Sequence, residues 1–132
     1  YPPGRGNGEL IVVVDDEQEI RDATSRALKS HGYTVAAVSN GQEALDFITA
    51  HTDVALVVTD LMMPVMDGAT LAASLAQSSP GIPIVAISGL AGNADRADVT
   101  SMSAFLAKPF STADLIRTVS HWVSPAQGDA NG

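Results

Sequence analysis

The sequence predicts a doubly wound α/β sandwich, a parallel sheet covered by helices on both faces. Three observations predict it. Two unbroken aliphatic runs, Ile11-Val12-Val13-Val14 and Ala55-Leu56-Val57-Val58-Thr59, suit strands buried on both faces. Between the ends of the 132-residue chain, strand-like and helix-like patterns alternate five times. Both runs end on carboxylates, Asp15-Asp16 and Asp60, and open parallel sheets carry their sites beyond the carboxyl ends of the strands.

The first run leads into residues 18–31, where Ile20, Ala23, Ala27, Leu28 and His31 recur at helical spacing. Gly32 then stands where a left-handed C-cap belongs. A second strand is expected at 34–38. Asn40 followed three residues later by Glu43 has the spacing of a capping box, with Asn in place of Ser or Thr, and predicts a helix to about Ala50. The third strand ends at Asp60. After the loop 61–68 an Ala- and Leu-rich helix is expected to about Gln77, stopped by Pro80 and Gly81. Residues 82–88 read as a fourth strand, with Pro83 tolerable only near its start. A weaker helix is expected at 95–101 and a short fifth strand at 104–107. A last helix has Ser111 as its N-cap and Leu115, Ile116, Val119, Trp122 and Val123 as its buried stripe.

The bulk properties bound the function. A 45% hydrophobic content is enough for one sizeable core, and the lack of cysteine excludes disulfides and thiolate metal sites. A formal net charge of −8, with seven scattered Lys and Arg residues, argues against a nucleic-acid surface. No apolar stretch reaches membrane-spanning length and the opening residues lack a signal-like segment, so a cytoplasmic domain without membrane contact is expected. Residues 1–8 read as a flexible linker and 124–132 as a flexible tail around a domain spanning 9–123, a unit expected to be part of a longer protein.

Asp15, Asp16 and Asp60 are the chemically loaded positions. Like charges gathered in a partly dry crevice are costly unless a cation belongs there, so the pattern predicts a divalent metal, a reactive carboxylate, or both. Met62, Met63 and Met66 fit loop packing better than copper ligation, since no cysteine and no clustered histidine accompanies them. His31, His51 and His121 lie far apart, each near an expected helix end.

Four segments in order, VVVDDE, TDLMMPVMDG, VAISG and FLAKPF, fall at the ends of strands one, three, four and five. Together they make a specific signature. The chain resembles the receiver domain of two-component response regulators from about Leu10 to Val123. The resemblance implies a flavodoxin-like three-layer sandwich with a five-stranded parallel sheet of order 2-1-3-4-5 and five helices. It also implies that Asp60 is the phosphoacceptor, and that Asp15 and Asp16 hold magnesium with Asp60 and the backbone carbonyl of Met62. Ser88 matches the family's hydroxyl position, Lys108 its lysine, and Phe105 the switch aromatic that in many members is Tyr. Gly89 and Met102 depart from the usual small residue and the usual Gly at their positions.

The implied function is phosphorelay signalling. A histidine kinase or phosphotransfer protein carrying phosphohistidine would be the donor, and the face of the fourth helix, fifth strand and fifth helix would be reshaped for a partner or a homodimer. The chemistry supports these residue types independently. A carboxylate can take a phosphoryl group, but donor and acceptor are both anionic, so cations must neutralise the approach. Three carboxylates are balanced by one divalent ion and one lysine. Met62 and Leu90, two residues after Asp60 and Ser88, are apolar and cannot orient a water, which predicts slow self-dephosphorylation. A metal-dependent phosphatase would be expected to carry a second Asp where Met62 stands. The parent is expected to be a hybrid sensor kinase. The alternatives are the N-terminal receiver of a DNA-binding regulator and an inert receiver-like binding module.

Overall fold

Alternate residues of the central strands enter two different cores, and this places helices on both sides of the sheet. The structure, a computed structural model, describes residues 8–51, 53–60, 71, 73–75, 77, 81–88, 104–107 and 110–123, with backbone only for Ser88, Phe105 and Ala107. Five strands, β1 (Leu10–Val14), β2 (Thr34–Val38), β3 (Val54–Asp60), β4 (Ile84–Ser88) and β5 (Ala104–Ala107), pair in parallel in the order β2-β1-β3-β4-β5. This is the flavodoxin-like arrangement that the resemblance implied.

Ile11, Val13, Leu56, Val58, Val85, Ile87 and Leu106 form one core with α1 (Gln18–Ser30) and the last helix (Thr112–Trp122). Val12, Val14, Val54, Val57 and Ile84 form the other with α2 (Gly41–Ala50) and the helical residues Leu71 and Leu75. Continuous aliphatic runs are thus explained, because both pleat faces are dry. Leu56, Val57 and Val58 are fully buried, and truncating a Leu at such a site costs about 2–5 kcal/mol. The β1–β3 register shifts once: Leu10 faces Val54, whereas Ile11 faces Leu56.

Local signals explain most boundaries. Gly32 has φ 93° and closes α1 with two backbone bonds, from Gly32 N–H to the Lys29 carbonyl (3.1 Å) and from Tyr33 N–H to the Leu28 carbonyl (3.2 Å). That is a Schellman closure, and Leu28 and Tyr33 are buried in the same core. Asn40 caps α2 by accepting from Glu43 N–H at 2.9 Å. Ser111 and Asp114 form a full capping box on the last helix. His31 and His51 each place Nδ1 against a carbonyl one turn back, Ala27 at 3.0 Å and Phe47 at 2.9 Å.

Several expectations need correction. Ala23 is exposed, and α1 instead buries Thr24 and Ser25 beside Leu28. Ser25 can be buried because its hydroxyl donates to the Arg21 carbonyl at 2.7 Å. Trp122 is 38% exposed, so the inward stripe of the last helix is Leu115, Ile116 and Val119, with Val123 packed at its margin. Ile82 and Pro83 precede β4 rather than opening it, although the Pro83 carbonyl accepts from Val57 N–H at 3.0 Å. The reciprocal arm of the α2 box lands one residue early: Glu43 accepts from the N–H and hydroxyl of Ser39, both at 2.9 Å. The helix expected at 95–101 lies outside the described residues.

Candidate functional site

Strand register builds the acidic cluster. Val14 of β1 faces Thr59 of β3, so the next residues, Asp15 and Asp60, come level on adjacent strands. Neighbouring strands run roughly 4.8 Å apart, and residues in step on a pleat share a face. One carboxylate oxygen each from Asp15, Asp16 and Asp60 accordingly lie within 4.8 Å of one another. Asp15 is 2% and Asp60 5% exposed, while Asp16 faces solvent. A pocket with two buried carboxylates and one wet one can take a hard, partly hydrated cation through oxygen donors.

Asp15 is tied down from several directions. Its N–H donates to the Val38 carbonyl at 3.2 Å, extending the β1–β2 ladder by one step. Its Oδ1 accepts from Glu17 N–H at 2.9 Å, closing the turn into α1. Its main-chain carbonyl accepts from Arg21 Nη1 at 2.7 Å. Helix α1 has Glu17 as N-cap with no side-chain cap bond, and the Asp15 carboxylate satisfies the N–H of that N-cap residue rather than those of the first turn. Thr59 is fully buried beside Asp60, and its hydroxyl donates to the Asp60 carbonyl at 3.0 Å.

The other predicted positions are placed in part. β4 pairs Ile87 with Asp60, which puts the Ser88 backbone one step beyond the acid on the adjacent strand. Ser88 in turn pairs with Ala107, the residue before Lys108 in the chain. Phe105 is in β5 opposite Ala86. Lys108, Met62, Gly89, Leu90 and Met102 lie outside the described residues, as do the side chains of Ser88 and Phe105. Sequence reasoning missed Arg21. Its signal is the spacing: a long donor six residues after a strand-end Asp, in the second turn of the following helix, can reach back to that residue's carbonyl.

Comparison with known proteins agrees with this geometry. The response regulator receiver domain family matches residues 11–120. The sensor kinase CckA of Brucella abortus is 38% identical over 112 residues, covering 83% of this chain and 12% of that protein. A probable transcriptional regulator, ycf27 of Porphyridium aerugineum, is 36% identical over 129 residues, covering 93% of this chain and 52% of that protein. The chain thus spans about half or less of the length of these two relatives. Among solved structures, the receiver domain of a sensor histidine kinase from Pseudomonas aeruginosa, with a magnesium ion coordinated in its active site cleft, superposes with a TM-score of 0.80. It shares 28% identity, covering 87% of this chain and 97% of that one. No helix among the described residues is long and apolar enough to cross a membrane. With its parallel sheet, its acids at the ends of β1 and β3 and a family match across most of its length, the chain belongs to the receiver domains of two-component response regulators.

Proposed function

We propose that this domain, residues 9–123, accepts a phosphoryl group on Asp60 from a phosphohistidine in a magnesium-dependent reaction and thereby reshapes a partner-binding face. The observation that carries the proposal is the level placement of Asp15 and Asp60 with Asp16 alongside, their carboxylate oxygens within 4.8 Å. An all-oxygen donor set of this kind fits magnesium, with the Met62 carbonyl as the further protein ligand. When bound, the ion offsets the charge that gathers as two anions approach. Asp60 is the nucleophile: an O–P bond forms on its carboxylate as the N–P bond of the donor breaks, and the electron pair stays with the imidazole. Lys108 supplies the ammonium and Ser88 the hydroxyl for the transferred group. Phe105 turns as Ser88 is drawn in, a population shift limited by the differential contacts of the phosphoryl group.

Labelling with acetyl phosphate tests the assignment. Asp60→Asn should take up no phosphate and show no donor-dependent change in the amide spectrum around Phe105. Either response persisting would remove Asp60 from its role. A magnesium-dependent beryllofluoride titration, followed by Trp122 fluorescence, should saturate; no response would indicate an inert binding module. Met62 and Leu90 predict a phosphoaspartate that outlasts seconds by a wide margin.

A hybrid sensor kinase is the parent this reading favours, with a histidine kinase or phosphotransfer protein as donor in the cytoplasm. The likeness to CckA and to a sensor-kinase receiver supports it. The likeness to a transcriptional regulator favours the second reading, an N-terminal receiver on a DNA-binding protein. Sequence of the parent chain on either side of this domain separates the two. Analytical ultracentrifugation with and without beryllofluoride tests the homodimer through the face that includes β5 and the last helix.

A further inference from the structure

We propose that Arg21 is a positioning residue for magnesium, acting through the peptide that joins Asp15 to Asp16; the inference rests on the phosphoacceptor reading above. Arg21 is half-buried in α1 and sends Nη1 back to the Asp15 carbonyl at 2.7 Å, a charge-assisted bond. The peptide unit is planar, so holding that carbonyl also sets the plane of the Asp16 N–H and the axis from which the Asp16 side chain leaves. Asp16 is the exposed member of the cluster, and an exposed ligand loses the most freedom on binding an ion. A pinned peptide removes part of that loss in advance. The guanidinium binds the carbonyl rather than a carboxylate in this contact, so the bond adds rigidity without taking an oxygen that would ligate the metal.

The rest of the turn fits this role. Arg21 is anchored by the opening bond of its own helix, N–H to the Glu17 carbonyl at 2.9 Å, and Glu17 N–H is held by Asp15 Oδ1 at 2.9 Å. A short ring of hydrogen bonds therefore links Asp15, Glu17 and Arg21, and the N-cap residue has no side-chain cap bond to compete with it.

The sign of the effect separates positioning from charge. A cation acting only by proximity repels magnesium, so its removal would tighten binding. A positioning residue gives the opposite result. Magnesium is titrated into the intact chain and followed by amide shifts, for the unaltered protein, Arg21→Met, which keeps the aliphatic stem, and Arg21→Lys, which keeps a donor. Arg21→Met should weaken magnesium about tenfold, and Arg21→Lys should recover part of the loss. In metal-free protein the Asp16 amide of Arg21→Met should show greater backbone mobility by nitrogen relaxation. Unchanged or tighter binding in a folded Arg21→Met, or an Asp16 amide as rigid as before, overturns the proposal. If Arg21→Met does not fold, Arg21→Lys decides: its single ammonium must weaken magnesium by about two- to threefold, and an unchanged value overturns the role. Failure of the unaltered chain to bind magnesium at millimolar concentrations would instead sink the phosphoacceptor reading itself.

Discussion

Helix α1 and the last helix pack in the same core, yet they begin in opposite ways. The last helix starts on a complete capping box, Ser111 hydroxyl to Asp114 N–H at 3.0 Å with Asp114 reaching back to Ser111 N–H at 3.4 Å. The turn before α1 is Asp15-Asp16-Glu17, all acidic, and its N-cap makes no side-chain bond. Acids suit a helix N-terminus electrostatically. Here, however, two of them are turned toward Asp60, and the turn is held by a backbone-directed carboxylate and by Arg21. One helix start serves stability; the other accepts a weaker cap to present a site.

The largest break in this contrast should come from Asp15→Asn. The amide keeps an oxygen for Glu17 N–H but removes a buried charge, so magnesium affinity should fall by about tenfold or more while stability rises by roughly 1 kcal/mol. Calorimetric titration and urea unfolding on the same protein check both signs. Ser111→Ala should do the reverse, costing about 1 kcal/mol with magnesium affinity unchanged. Asn40→Ala should cost less, about 0.5–1 kcal/mol, because Glu43 still holds Ser39.

The smallest effect is acid dependence. The Ser39 N–H, then its hydroxyl, holds the Glu43 carboxyl below its usual 4.5. The Ser111 N–H, followed by the Arg117 guanidinium, holds Asp114 below its usual 3.8. Both folded values are depressed, so their contribution is present above the ordinary carboxylate value and disappears as pH falls through the lower folded one. Both groups are exposed, so the slope should be shallow. Glu43→Gln and Asp114→Asn should each flatten the acid limb of a pH series of unfolding midpoints, without altering midpoints at neutral pH by more than a surface substitution does.

The strands and the two acid-bearing strand ends were legible because both faces of a parallel strand are dry, leaving aliphatic runs that stop where the acids begin. Gly32 and Ser111 were legible because a left-handed closure and a helix N-terminus each demand a short list of residue types. The helix faces were less legible. Thr24 and Ser25 look polar in the sequence, yet both are buried, Ser25 with its hydroxyl bonded to its own helix backbone. Trp122 looks like core and is not, since the stripe of the last helix is complete after Val119. Arg21 escaped because its partner is a main-chain oxygen, which carries no residue signature.

The single slip in pairing between Leu10 and Ile11 has a consequence at the far end of the sheet. Val54 and Val57 enter the same core although three residues apart, so β3 accommodates one extra residue, Ala55, before its alternation settles. Were Ala55 instead paired regularly with Ile11, Thr59 would stand beside Asp15 and Asp60 would swing to the opposite side of the sheet. The phase of Asp60 is thus set at the amino end of its strand, and excising Ala55 should remove the bulge while leaving Leu56 opposite Ile11 and Asp60 level with Asp15.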